Sequence, residues 1–98
     1  MSPEQLAGEC GTLAVEAVAQ LRAKGIRASS ELGFNGSHAY VVIPTKSETG
    51  EVGELVLDPS IRQFGGADNL LGGKAYFLGT REDHAVIMSQ VAARHYLP

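Results

Sequence analysis

The sequence predicts an α+β domain in which an N-terminal Cys-bearing helix packs on a small antiparallel sheet and a C-terminal helix follows. Three observations carry that reading. From Cys10 the apolar residues Leu13, Ala14, Ala17, Val18 and Leu21 step by threes and fours, the period of a helix with one buried stripe. "HAYVVIP" and "ELVLDP" are short runs rich in β-branched residues, each closed by a proline, and the polar, glycine-containing "TKSETGEVG" joins them as a hairpin connection. A second helical stripe, Ile87, Met88, Val91 and Ala92, comes after the last strand-like run. Helices flanking a run of strands are the order of an α+β domain with an antiparallel sheet.

Each element has a local cause. Ser2, Pro3 and Gln5 read as a helix start: an N-cap, a proline at the first helical position and the closing residue of a capping box. Gly8 and Gly11 each disfavour a helix interior by about 1 kcal/mol relative to alanine, which predicts a break or kink near Cys10. Gly25 reads as the C-cap, with Arg22 and Lys24 suited to the negative end of the helix dipole. The glycine-rich "GFNGS" leads into the first strand. "IRQFGGADNLLGG" reads as a short helical turn with irregular loop, "KAYFLG" as a third strand, and Thr80 with Asp83 as the capping box of the last helix.

A chain of 98 residues makes one domain with a modest core, spanning residues 1–98. A hydrophobic share of 44% against 19% charged residues is that of an ordinary globular protein. The net charge is −3 and the eight Lys and Arg are scattered, so no electrostatic footprint for nucleic acid is present. No apolar run approaches the roughly 20 residues of a membrane span, and "MSPEQL" lacks the features of a signal peptide. Neither nucleic acid nor membrane is an expected partner.

Cys10 is the only cysteine, which excludes an intramolecular disulfide and a thiolate zinc site. Three dispersed histidines carry no metal-ligand spacing, and the glycine pairs at 65–66 and 72–73 are followed by no phosphate-loop lysine and hydroxyl residue. No metal or other cofactor is expected.

The hairpin suggests chemistry. If its turn centres near Glu48, His38 at the start of the first strand faces Asp58 at the end of the second, with roughly 5 Å between opposed positions. A slip of two residues preserves the shared face, whereas a slip of one destroys it. A carboxylate beside an imidazole fixes the ring's tautomer and stabilises its charged form. A thiol at a helix N-terminus meets unpaired N–H groups and the positive end of the dipole, both of which favour the thiolate. Glycines either side of Cys10 leave room for a carbonyl to approach the sulfur, with the Gly11 N–H facing the oxyanion. Taken singly, each residue has an ordinary reading: Cys10 as core, His38 as a strand-start residue, Asp58 as the cap of "SIRQF". His84 and His95 read as partly exposed residues of the last helix.

"AKGIRAS", "HAY" and "LDPS", in that order after a cysteine that opens a helix, resemble the transglutaminase-like branch of the papain-like superfamily, with its "GI" turn, "HAW" strand and "LDPT" strand end. The likeness covers roughly residues 8 to 62. It implies Cys10 as nucleophile, His38 as base and acid and Asp58 as orienter. It also implies Gln5 as an oxyanion-hole candidate, at an offset from the cysteine different from that of papain-like proteases. Tyr40 stands in the position of the usual tryptophan. The short chain is most similar to the papain-fold toxin domains of bacterial toxins and effectors, some of them C-terminal modules of longer proteins. The function this implies is a thiol hydrolase of protein amides, a glutamine deamidase ahead of a cysteine protease, in the cytoplasm or delivered within a secreted toxin. A protein substrate and a cognate immunity protein are its implied partners. The alternatives are a catalytically inactive papain-like binding module, a transglutaminase, and an unrelated small α+β domain.

Overall fold

The computed structural model describes residues 10–33, 38–63, 67–72 and 74–95. Along the chain come α1 (Cys10–Ala23), β1 (Ser29–Gly33), β2 (His38–Lys46), β3 (Val52–Asp58), a 3-10 turn (Ile61–Gln63), α2 (Ala67–Leu70), β4 (Phe77–Thr80) and α3 (Arg81–His95). The strands form one antiparallel sheet in the order β1-β2-β3-β4. The α+β class and the antiparallel sheet expected from the sequence are therefore present. No helix among the described residues is long and apolar enough to cross a membrane.

α1 contains Gly11 in its first turn, so that glycine does not break the helix; the start read at Ser2–Gln5 and the effect of Gly8 lie outside the described residues. Its C-terminus follows the expected chemistry. Gly25 takes φ of 84°, the Ile26 N–H reaches the Leu21 carbonyl at 3.0 Å and the Gly25 N–H the Arg22 carbonyl at 3.0 Å. This is a Schellman stop, open to glycine because it has no Cβ to clash in the left-handed region. The Arg22 side chain then donates to the Ala28 carbonyl at 2.9 Å, tying the helix end to the lead into β1.

Two expectations about the strands need correction. β1, "SSELG", has no alternation of apolar and polar residues and was not foreseen; its order comes from pairing with β2 rather than from its own pattern. β2 runs two residues past Pro44, where it was expected to close. β1 pairs only as far as Val42, so at Pro44 the strand has β3 on one side alone, and a residue lacking an N–H is tolerated there. The connection shrinks accordingly to Ser47–Glu51, closed by the Ser47 N–H on the Glu51 carbonyl at 2.8 Å with Gly50 at φ 87°.

The alternation of side chains along β2 divides the molecule into two cores. Tyr40 and Val42, with Val56 and Phe77, pack beneath α3 against Met88 and Val91, joined by Ile61, Ala67 and Leu71. Ala39 and Val41 face the other way, onto Ala14 and Ala28, with Cys10, Ala17, Val18, Leu21, Ile43 and Leu57 around them. Ile61, Val41 and Val56 are fully buried, each contributing about 1.5–3 kcal/mol of transfer free energy.

α3 is seated by charge as well as by apolar packing. Its first residue, Arg81, donates to Glu31 of β1 at 2.6 Å and to Glu54 of β3 at 3.2 Å. The pairing lowers the Glu31 carboxyl and raises the Arg81 guanidinium, though all three groups are solvent-accessible and their net contribution is modest. The Thr80 hydroxyl accepts the Asp83 N–H at 3.0 Å, the cap expected from the sequence.

Gly33 sets a further constraint. A Cβ at this position would stand 2.9 Å from Tyr40 Cε1, and the Tyr40 ring is buried and cannot swing aside. Gly33→Ala is expected to destabilise the fold by about 1–3 kcal/mol, read as a lower urea midpoint at unchanged slope.

Candidate functional site

Asp58 ends β3, His38 begins β2, and His84 lies one turn into α3. The hairpin axis lies one residue later than the sequence suggested: Val41 faces Leu57, and one step further along the ladder Tyr40, rather than His38, faces Asp58. This slip of two in register leaves the face unchanged, so the His38 ring meets Asp58 diagonally. His38 Nε2 lies 2.7 Å from Asp58 Oδ2, with both side chains essentially fully buried.

The second imidazole was not foreseen. His84 Nε2 lies 2.8 Å from the same Oδ2, and His84 is buried rather than partly exposed. The signal was present: His84 falls on the stripe of Ile87, Met88 and Val91, three and four residues before the first two. The side chain of His95 lies outside the described residues.

Both rings are held from behind. Tyr40 lies 4.7 Å from His84 and 6.1 Å from His38 between ring centroids, and Phe77 lies 5.2 Å from His84. Burial and the Tyr40 hydroxyl's hydrogen bond to Glu31 together push the Tyr40 phenol upward, keeping it neutral. Asp58 Oδ1 accepts the Ser60 N–H at 3.3 Å. Among the described residues, no buried side-chain nitrogen or oxygen lacks a hydrogen-bond partner.

Burial alone would raise the Asp58 carboxyl, but the hydrogen bonds from His38 and His84 outweigh it and hold the carboxyl below its ordinary value. An ionised Asp58 only accepts, so each ring donates through Nε2, and in the neutral tautomer each keeps its lone pair on Nδ1. His38, Asp58 and His84 are also a group whose ligand atoms lie within 4.8 Å of one another. Their spacing is that of hydrogen bonds: one tetrahedral ion with bonds of about 2.0–2.2 Å sets neighbouring ligands about 3.3–3.6 Å apart, wider than the 2.7 Å and 2.8 Å seen.

A pocket of about 330 Å³ opens beside the cluster, lined by His38, His84, Tyr40, Arg81, Met88 and Gly33 among others. Cys10 is not brought into the cluster. It is the first residue of α1, partly exposed, and packs with the Ala39 and Val41 core on the opposite face of the sheet from the side chain of Asp58. Gly11 follows it in the first helical turn, whereas Gln5 lies outside the described residues. The structure therefore joins two of the three residues expected to act together, and adds His84 to them.

A carboxyl held low in the folded state stabilises the protein above the unfolded aspartate value, about 3.9, and loses that contribution as the pH falls through the folded value. Asp58→Asn places an amide before two ring donors and is expected to cost about 3 kcal/mol at neutral pH. The gap from the parent protein should narrow below about pH 4, as urea denaturation at a series of pH values will show.

Comparison with known proteins finds no family model, no curated protein and no solved structure that matches this chain.

Proposed function

We propose that the protein is a thiol hydrolase of protein amides in which Cys10 is the nucleophile, His38 the proton carrier and Asp58 the orienter. The observation that carries this reading is the buried 2.7 Å contact between His38 Nε2 and Asp58 Oδ2. With Nε2 directed at the acid, this reading assigns the proton exchange with the thiol to Nδ1. Cys10 supports it by its place at the opening of a helix and by its partial exposure.

In the reaction, the Cys10 thiolate attacks the carbonyl carbon of a side-chain amide and the carbonyl electrons move onto oxygen, toward the Gly11 N–H. The tetrahedral species collapses, the C–N bond breaks, and the imidazolium of His38 gives its proton to the departing ammonia. Water then adds to the thioester, His38 takes its proton, and the carboxylic acid leaves as the thiolate reforms. A glutamine becomes a glutamate. A peptide bond as substrate gives a protease, and an amine in place of water a transglutaminase; the deamidase is our first reading. We further propose that the domain belongs to a bacterial toxin or effector and that an immunity protein covers the pocket in the producing cell.

A second reading has its own observation. Cys10 lies outside the cluster around Asp58 and within the opposite core, which favours a papain-like module that binds a protein without chemistry. Iodoacetamide at mildly acidic pH separates the two. The enzyme is expected to lose Cys10 to alkylation at least about tenfold faster than a small free thiol, and His38→Ala to abolish the excess. A Cys10 no faster than the free thiol, or indifferent to His38→Ala, selects the binding module.

A further inference from the structure

His84 is the third member of the cluster around Asp58. It arrives from an element remote in sequence from the hairpin, 26 residues after Asp58, and is buried. It spends its Nε2 on the oxygen that His38 also uses. An apolar residue would fill that space against Tyr40, Phe77 and Met88 without the cost of a buried polar ring. Its donor is thus the distinguishing feature of the position.

We infer that His84 is a positioning residue of the active site, which holds the Asp58 carboxylate so that Asp58 in turn holds the His38 ring for proton transfer. The inference deepens the thiol-hydrolase reading, and its catalytic consequence rests on that reading. The geometry gives the reason. With only the Ser60 N–H and His38 as partners, the carboxylate is free to rotate about its terminal bond and present either oxygen to the ring. The Nε2–H of His84, fixed by Tyr40 at 4.7 Å and Phe77 at 5.2 Å, pins Oδ2 at the meeting point of two donors. The second donor also offsets the burial of a negative charge that one imidazole would have to carry alone. Arg81, three residues earlier, anchors the helix to Glu31 and Glu54, so α3 serves as a rigid bracket delivering His84.

Three substitutions separate hydrogen bonding from packing. His84→Gln keeps an N–H donor, His84→Phe keeps a ring against Tyr40 and Phe77 but removes the donor, and His84→Ala removes both. Circular dichroism and thermal melting identify which variants are folded, and the comparison of Gln with Phe stands if Ala fails to fold. Two readouts apply. The first is the low-field proton resonance of His38 Nε2–H in its bond to Asp58, seen by nitrogen-correlated NMR in the full chain. The second is the rate of Cys10 alkylation at mildly acidic pH.

In the parent protein the His38 resonance is expected to be sharp. It should broaden or vanish in His84→Phe and return in His84→Gln, with alkylation about tenfold slower in Phe and largely restored in Gln. A His38 resonance unchanged in His84→Phe, or lost equally in Phe and Gln, would overturn the inference. If the parent Cys10 is no faster than a free thiol, the hydrolase reading fails, while the resonance still decides whether His84 positions His38 through Asp58.

Discussion

A single buried carboxylate, Asp58, governs the arrangement of this protein. Its side chain is wholly removed from water, and it remains ionised because two imidazoles and a backbone N–H turn their donors toward it. Desolvation works against the charge and the ring hydrogen bonds outweigh it. Everything that supplies those donors is thereby constrained: the register of β2 against β3, the seating of α3, and the aromatic side chains that keep both rings from turning. Charge burial of this kind gives weak net stabilisation at best, and loss of any partner leaves an uncompensated ion.

The sheet then separates this polar centre from a purely apolar one. Along β2 the even-numbered residues His38, Tyr40 and Val42 serve the α3 side, while Ala39 and Val41 receive α1. The small alanines let α1 approach closely, with Ala14 fully buried between helix and sheet. Cys10 belongs to that apolar layer at the helix mouth. The proposed chemistry accordingly has its nucleophile on one layer of the sheet and its proton carrier on the other.

Much of this was legible in the residues. Helical periodicity marked α1 and α3, Gly25 and Thr80 marked their ends, and the β-branched runs marked β2 and β3. The pairing of His38 with Asp58 followed from hairpin arithmetic, whose tolerance for a two-residue slip covered the actual register. β1 was illegible because an edge strand of Ser, Ser, Glu, Leu and Gly takes its conformation from its neighbour and carries no pattern of its own. His84 was misread for a different reason. Its stripe position was visible, but a histidine on a helix is usually surface, and only the tertiary placement of α3 over Asp58 makes burial favourable. The position of Cys10 relative to the rings depends on how α1 lies across the sheet, which spacing along the chain does not encode.

The imidazole donors to Asp58 come from positions twenty residues before it and twenty-six after it. During synthesis the hairpin that bears His38 and Asp58 therefore emerges well before the helix that completes the clamp. Until residue 84 has left the ribosome and docked, the acid has only half of its imidazole complement, in a hairpin whose apolar face is uncovered. Docking of α3 thus completes the polar centre and covers that face together.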